Sequence, residues 1–299
     1  MIETLDQVSL HFNKDSLLLL NACIAFIMFG VALELKIAHF KQLFQTPKPI
    51  LVGLGSQLIL MPMVTFGLIY IIDPIPSVAL GMILVASCPG GNVSNFYTSM
   101  SKGNVALSVS LTALVSSIAF FMTPFNFAFW AGMYKPTAEL LEKVDMNIWN
   151  VITTVILILA VPLTLGMIFN NHFPELTKKI TKPIKRLSII IFAAFVVFAL
   201  SANFEQFINH ILEVIVLVFL HNIIALSTGF LSAKAFNLSE QDKRSITIET
   251  GIQNTGIALV IIFDFFDGLG GMAFIAAWWG IWHLISGAGI SWYWSNQRY

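Results

Sequence analysis

The sequence predicts an all-α integral membrane protein with nine transmembrane helices. Of its 299 residues, 57% are hydrophobic and only 11% are charged, and the mean hydropathy is +0.82, whereas a soluble domain carries about 25% charged residues. Nine apolar runs come close to or exceed the roughly 20 residues that a helix needs to cross the hydrocarbon core. The basic residues are concentrated on alternate loops between these runs, which supports the same count.

The nine predicted spans are separated by charged or turn-rich segments. Their approximate ranges are 16–34, 49–72, 77–101, 104–131, 147–169, 187–204, 208–233, 245–266 and 271–294. The segment before the first span carries Glu3 and Asp6 where a secretory signal peptide would carry basic residues, and no small-residue cleavage site follows the first span. We therefore expect the first span to remain in the mature protein.

The lysines and arginines orient the chain in the membrane. With the N-terminus outside, thirteen of the 16 basic residues lie on the inner side, and only Lys14, Lys135 and Lys143 lie outside. An excess of lysine and arginine on cytoplasmic loops is general in membrane proteins. We therefore expect an outer N-terminus and a cytoplasmic C-terminus in a multi-pass protein of the inner (plasma) membrane.

Composition and motifs argue against several other classes of protein. The formal net charge is zero, so the basic surface that nucleic acid requires is missing. Cys23 and Cys88 have no partner at CxxC or metal-ligand spacing, and the six histidines form no HExxH motif. The sequence also contains neither a GxGD aspartate pair nor a GxSxG nucleophile motif. We expect no nucleic-acid partner and no catalytic residues.

Two of the predicted spans carry clusters of polar and helix-breaking residues at their middle. The third span contains "SCPGGNVSN" at 87–95, and the eighth contains "TIETGIQNTG" at 247–256. Proline and glycine interrupt a helix, and an interruption frees carbonyl groups that suit a cation and N–H groups that suit an anion. Interrupted helices at corresponding positions of two halves are typical of inverted-repeat transporters.

Glu249 is the one acidic residue that the sequence places near the middle of a span. A buried, unpaired carboxylate is costly, so Glu249 is expected to bind either a proton or a cation. Gln57 in the second span and Ser108 and Thr112 in the fourth add oxygen atoms, which hard cations prefer, and a single carboxylate favours Na⁺. Alternatively, Ser108 and Thr112 only bond to their own helix, and the "PGG" segment is only a structural kink.

Several motifs together resemble one transporter family. "CPGGNVSN", "GNVALSVSLTALVS", "TIETGIQNTG", "LHNIIA" and "WHLISG" are similar to motifs of the bile acid:sodium symporter family, and the similarity runs through essentially the whole chain. The resemblance implies a panel domain of spans at 16–34 and 147–204 and a core domain at 49–131 and 208–294. It also implies that the two broken core helices cross, with two Na⁺ sites behind the crossing.

The resemblance also implies which residues bind the two sodium ions. The first site would use Ser94, Asn95, Ser108, Thr112 and Glu249. The second site would use side chains and backbone carbonyls of Gln57, Glu249, Thr250, Ile252 and Gln253. Because Glu249 belongs to both sets, the two ions would be linked electrostatically.

The substrate implied by the resemblance is an organic anion bound between panel and core. The positions that approach the substrate in the family correspond to Gly91, Asn92, Asn254 and His283. Two residues depart from the common pattern, since Asn92 stands where many bacterial relatives have threonine and Leu284 where some have asparagine. His283 alternatively packs as an ordinary helix histidine.

The sequence therefore predicts a secondary-active symporter in the lipid bilayer. Two Na⁺ would drive import of a bile acid or of a small carboxylate such as pantoate by alternating access. The alternatives are a proton-coupled organic anion transporter that uses Glu249, a membrane enzyme with Glu249 and His283 as acid and base, and a substrate-sensing receptor.

Overall fold

The computed structural model describes residues 6, 14–33, 45–91, 93–143, 153–154, 156–202 and 204–297, and this part of the chain is built from α-helices. The helices, in chain order, are α1 (Lys14–Ala32), α2 (Pro47–Ile72), α3 (Pro76–Ser87), α4 (Val93–Met100), α5 (Val105–Met133), α6 (Lys135–Lys143), α7 (Ile156–His172), α8 (Pro174–Ala202), α9 (Phe204–Ala235), α10 (Glu240–Gly251), α11 (Thr255–Phe265) and α12 (Gly270–Ser295). Helices α2 and α7 each contain one π-helical turn, at Ser56–Leu60 and Ile156–Ala160.

Within the described residues, four helical segments are long and apolar enough to cross a membrane. They are α2, α5, α12 and the part of α9 from Val214 to Ala235. Each coincides with a predicted span, and these segments identify the chain as a membrane-embedded protein. The total of nine spans remains a prediction, because 34–44 and 144–152 lie outside the described residues.

Two regions differ from the predicted boundaries. Helix α8 begins at Pro174, well before the predicted start of its span at 187. The basic segment ahead of the span forms helix because it is rich in helix-forming residues. It also carries an ion pair between Glu175 and Lys178, which lie one turn apart. The predicted outer loop at 132–146 contains helix α6. Charge marks the end of an apolar span, but it does not end a helix.

Both predicted helix interruptions are confirmed. Helix α3 ends at Ser87 and α4 begins at Val93, while α10 ends at Gly251 and α11 begins at Thr255. The two extended segments pair as an isolated antiparallel bridge between Gly90 and Gln253. The backbone N–H of Gly91 donates to Ile252 O at 2.7 Å, and that of Asn254 donates to Pro89 O at 2.8 Å. Each break therefore satisfies backbone groups that the other leaves without a helical partner.

The first half-helix of one break and the second of the other lie in the interior. Every residue of α3 from Ser77 to Ser87 is buried, as is every residue of α11 from Thr255 to Phe263. Such all-round burial is typical of a helix enclosed by other helices. The crossing of the two breaks is thus held at the centre of the helix packing.

Two further helices approach α1 closely through glycines. A Cβ atom on Gly30 of α1 would lie 2.8 Å from the Ile184 side chain of α8, and one on Gly166 of α7 would lie 2.8 Å from Phe29 O. Small residues allow this close helix packing in a membrane. The three helices α1, α7 and α8 contain the spans that we predict to form the panel.

Helices α5 and α10 are joined at their N-terminal ends. Asn104 caps α5 by accepting from Leu107 N at 3.1 Å, and its amide donates to Asp242 Oδ1 at 2.8 Å. Ser245 Oγ donates to Asn104 O at 2.9 Å. Because α5 carries Ser108 and Thr112 and α10 carries Glu249, these contacts fix the register between the two helices that contribute most of the predicted first ion site.

Arg244 corrects one sequence expectation. The prediction places it in a cytoplasmic loop before the eighth span, but it lies within α10 and is 4% exposed. Its guanidinium donates to Ser101 O at 2.6 Å and to Trp294 O at 3.1 Å, just beyond the end of α4 and near the end of α12. A cation stabilises the carbonyl end of a helix, which explains how this charge is buried.

Candidate functional site

Glu249 lies in the last turn of α10 and is 1% exposed. Its Oε1 atom accepts hydrogen bonds from Ser94 Oγ and Ser108 Oγ, both at 2.5 Å, and from Thr112 Oγ1 at 3.0 Å. Within the described structure, the carboxylate is thus surrounded by neutral hydroxyl groups from α4 and α5.

The hydroxyl groups of Ser108 and Thr112 each lie near more than one oxygen atom. Ser108 Oγ lies 2.8 Å from Asn95 Oδ1 as well as 2.5 Å from the carboxylate, yet a serine hydroxyl has one hydrogen to donate. Thr112 Oγ1 likewise lies near its own helix carbonyl, Ser108 O at 3.0 Å, and near Asn95 Oδ1 at 3.4 Å. The structure therefore brings together all five residues predicted for the first ion site as a cluster of oxygen atoms.

A second group of polar side chains surrounds the C-terminal end of α10. Gln57 donates from Nε2 to Glu249 O at 3.2 Å, and Gln253 donates from Nε2 to Thr250 O at 2.9 Å. The Oε1 atoms of both glutamines are buried and have no hydrogen-bond partner among the described residues. An unpaired buried acceptor costs about 1–3 kcal/mol, so both oxygens are available to bind a ligand.

The π-helical turn of α2 directs two of these contacts. Gln57 lies within the Ser56–Leu60 π turn, and the hydroxyl of Ser56 lies 3.0 Å from that of Thr250. A π turn inserts one residue into a helical turn and often occurs at functional sites. Here it places two successive polar residues of an apolar helix toward α10.

The absence of a side chain at Gly90 allows Gln57 and the Glu249 carboxylate to approach the same point of the backbone. A Cβ atom there would lie 2.6 Å from Gln57 Nε2 and 2.9 Å from Glu249 Oε2. Both carboxylate oxygens of Glu249 contact the hydroxyl cluster, since Thr112 Oγ1 also donates to Oε2 at 3.1 Å, and Oε2 additionally lies beside the Gly90 backbone that separates it from Gln57. Glu249 thus lies next to residues of both predicted ion sites.

The structure describes three of the four predicted substrate residues, two at the helix breaks and one in α12. Gly91 and Asn254 flank the crossing, and the side-chain amide of Asn254 lies 3.8 Å from Met28 Sδ of α1. His283 lies in α12, is 5% exposed, and its Nδ1 has no hydrogen-bond partner in the described part of the chain. Asn92 lies outside the described residues.

Leu284, the other departure from the common pattern, is 38% exposed. Its backbone oxygen accepts from Tyr97 Oη at 2.8 Å, which ties α12 to α4 beside His283. Gly287 lies on the same contact, because a Cβ there would meet the Tyr97 ring at 2.7 Å.

Three contributors to this region have no predicted role. Thr98 donates to Ser108 Oγ at 3.2 Å, Ser56 contacts Thr250, and Asn222 of α9 donates from Nδ2 to Gly251 O at 2.8 Å. The sequence signal for Asn222 was the polar pair in "LHNIIA", inside an otherwise apolar span. Ser56 and Thr98 resemble the many hydroxyls that bond to their own helix, so sequence spacing does not distinguish them.

Chemically, the site is an array of uncharged oxygen atoms around one carboxylate. Hydroxyl, amide and carbonyl oxygens of this kind bind hard cations, and one carboxylate balances a single positive charge. The N-terminal ends of α4 and α11 lie across the breaks and carry the positive ends of the helix dipoles.

A family model described as the "Sodium Bile acid symporter family" matches residues 21–210. The "Uncharacterized sodium-dependent transporter YocS" of Bacillus subtilis is 31% identical to the chain over 271 residues, which cover 91% of this chain and 81% of that protein.

Relatives in animals and plants are more distant. "Sodium/bile acid cotransporter 5" of Rattus norvegicus is 26% identical over 269 residues, covering 87% of this chain and 59% of the relative. The "Probable sodium/metabolite cotransporter BASS1, chloroplastic" of Arabidopsis thaliana is 26% identical over 239 residues, covering 80% and 57%. The chain thus spans a little more than half of the length of these two relatives.

Proposed function

Because the chain belongs to the sodium bile acid symporter family, we propose that it is a sodium-coupled symporter that imports an organic anion. Relatives named for sodium-dependent, bile acid and metabolite transport support the coupling ion and the general class of cargo. The observation that carries the proposal is the enclosed oxygen cluster around Glu249.

In the proposed first site, Na⁺ binds among Ser94, Asn95, Ser108, Thr112 and Glu249. The convergence of hydroxyl, amide and carboxylate oxygens in this cluster supports a cation, because hard cations bind oxygen atoms of these kinds. The burial of the carboxylate supports the same role, since a compensating charge lowers the cost of keeping it ionised. Ser108 then uses its single hydrogen for one neighbour and its oxygen for the ion.

In the proposed second site, Na⁺ binds to Gln57, Gln253, Glu249 and the carbonyls of Thr250 and Ile252. The unpaired Oε1 atoms of Gln57 and Gln253 support this site. The carbonyls of Thr250 and Ile252 each accept one hydrogen bond, which leaves each a second lone pair. Glu249 contacts the hydroxyl groups of the first site with its carboxylate and Gln57 of the second with its backbone carbonyl, so it would couple the two ions.

The anion is proposed to bind beside the crossing, near Gly91, Asn92, Asn254 and His283. The positive ends of the α4 and α11 dipoles favour a carboxylate or sulfonate there. Asn254 reaches α1 through Met28, so a ligand beside it would also touch the proposed panel. A bile acid and a small carboxylate such as pantoate are the two candidate substrates.

The proposed transport cycle moves the core relative to the panel. Sodium would order the crossing, the ordered crossing would bind the anion, and each ligand would raise the affinity for the other by the same factor. This proposal also includes the inverted repeat, the nine spans, the two ions, the inner-membrane location, the outer N-terminus and the cytoplasmic C-terminus.

The decisive experiment measures uptake of labelled anions into proteoliposomes that contain the purified protein. An inward Na⁺ gradient is expected to drive accumulation, whereas a proton gradient without Na⁺ is not. Accumulation driven by protons alone would favour the alternative in which Glu249 carries a proton. Binding without accumulation under either gradient would favour a receptor. A screen of anions by sodium-dependent thermal stabilisation identifies the substrate to use.

The Thr112→Val variant tests the first site. Valine keeps the shape of threonine but removes one ion-facing oxygen, so the sodium concentration for half-maximal uptake is expected to rise about tenfold, equivalent to about 1.4 kcal/mol. Ser117→Ala on the same helix is the matched control, because Ser117 donates only to Ala113 O at 2.7 Å. If Thr112→Val and Ser117→Ala have the same half-maximal sodium concentration, Thr112 is not a ligand of the first site.

A further inference from the structure

Three side-chain amides surround the break between α10 and α11. Gln57, Gln253 and Asn222 donate to the carbonyl oxygens of three successive residues, Glu249, Thr250 and Gly251, at 3.2, 2.9 and 2.8 Å. These carbonyls lie in the last turn of α10, where no following helical turn supplies N–H donors. The three amides therefore replace the missing turn of backbone hydrogen bonds.

The orientation of the Asn222 amide follows from its partner. A backbone carbonyl only accepts hydrogen bonds, so the atom facing Gly251 O must be the NH₂ group. Asn222 is 1% exposed, and its Oδ1 is buried without a hydrogen-bond partner in the described part of the chain. The side chain shares this arrangement with Gln57 and Gln253, which belong to the proposed second sodium site.

Helices α9 and α10 pack closely enough to make this contact. A Cβ atom on Gly251 would overlap the Leu226 side chain, and one on Gly229 would lie 2.7 Å from Thr247 Cα and 2.8 Å from Ile246 O. Glycines at both positions let the two backbones approach. The Gly251 carbonyl thereby comes within reach of Asn222, one turn before Leu226 on α9.

We propose that Asn222 is a positioning residue of the second sodium site. Its NH₂ group holds the Gly251 carbonyl and so fixes the adjoining peptides, which carry the Thr250 and Ile252 carbonyls. Gly251 has no side chain to restrict its backbone, so this hydrogen bond replaces the restriction. Without it, the buried Gly251 carbonyl would rotate toward another donor and displace both ion-facing carbonyls. The inference rests on the proposed sodium coupling.

Two variants of Asn222 test the inference. Asn222→Leu keeps the size but removes the donor, and the sodium concentration for half-maximal stabilisation and uptake is expected to rise roughly fivefold. Asn222→Ser leaves room for a water that donates to Gly251 O, so its value is expected to fall between those of wild type and Asn222→Leu. The anion KM at saturating sodium is expected to stay within about twofold of wild type, which separates positioning from general damage.

Thr228→Val is the matched control on α9, because Thr228 donates to its own helix at Ile224 O, 2.8 Å away. The proposal for Asn222 is overturned if the wild type responds to sodium and Asn222→Leu responds identically. It is also overturned if both Asn222 variants change the anion KM at saturating sodium as strongly as the sodium dependence. A wild type without any sodium response overturns the proposed function and this inference together. If Asn222→Leu does not fold, Asn222→Ser is compared with Thr228→Val. A higher half-maximal sodium concentration in Asn222→Ser supports the proposal, and equal values in the two variants overturn it.

Discussion

Sodium-driven uptake is expected to disappear in the Glu249→Gln variant while the protein remains folded. Glutamine has nearly the same shape, and its amide oxygen can still accept from Ser94, Ser108 and Thr112, which all contact the carboxylate in the structure. The variant removes the charge that balances the bound cations. Removing one partner of a buried charge pair costs about 3–5 kcal/mol, so the sodium affinity should fall by more than roughly 100-fold.

The measurements for Glu249→Gln are sodium-dependent uptake and the sodium-dependent shift of Tm. Glu240→Gln is the matched control, because it makes the same substitution in the first turn of the same helix, where the exposed carboxylate of Glu240 pairs with Lys243. Both variants should fold without sodium, and the Glu240→Gln variant alone should show wild-type sodium dependence. Sodium-dependent uptake that survives in Glu249→Gln would falsify the assignment of Glu249 to either ion site.

Transport is also expected to be lost in the Gly90→Ala variant. The added methyl group would lie 2.6 Å from Gln57 Nε2, 2.9 Å from Glu249 Oε2 and 3.3 Å from Glu249 O, so the glutamine and the carboxylate would both have to move. Overpacking of this kind costs about 1–3 kcal/mol. Because the displaced groups belong to the proposed ion sites, sodium binding should suffer more than folding does.

Gly67→Ala provides the control for Gly90→Ala. No heavy atom lies within 4 Å of a Cβ at Gly67, and alanine is preferred to glycine inside a helix by about 1 kcal/mol. The control should transport normally and unfold at the same Tm or slightly higher. If Gly90→Ala keeps wild-type sodium affinity, the close approach of Gln57 and Glu249 across Gly90 has no role in ion binding.

The helix interruptions were predictable because their causes are local. Proline and paired glycines at 89–91, and glycines on both sides of Gln253 and Asn254, disfavour a helix wherever they occur. Glu249 was predictable for a similar reason, since an acidic residue in a long apolar run has few structural explanations. The grouping of Ser94, Asn95, Ser108 and Thr112 around it came from the family resemblance and agrees with the geometry.

Other features depend on contacts between distant parts of the chain. Asn222 resembles any polar residue in an apolar helix until the Gly251 carbonyl lies 2.8 Å away. The bond of Asn104 to Asp242 likewise requires the three-dimensional register of α5 and α10. Arg244 was predicted to lie in a loop because charge normally marks a span boundary, and the carbonyl ends that accommodate it belong to other helices.

The pairing of the two breaks also constrains the order of assembly. Pro89 and Gly91 obtain their backbone partners from Ile252 and Asn254, in the opposite half of the chain. During synthesis, the first broken helix therefore enters the membrane before its partner exists, with a carbonyl and an N–H group still unpaired, which is costly in lipid. Its final conformation must wait for the second broken helix. The pairing of the two breaks can therefore form only after residues 252–254 have been synthesised, and until then the Pro89 carbonyl and the Gly91 N–H need another partner such as water.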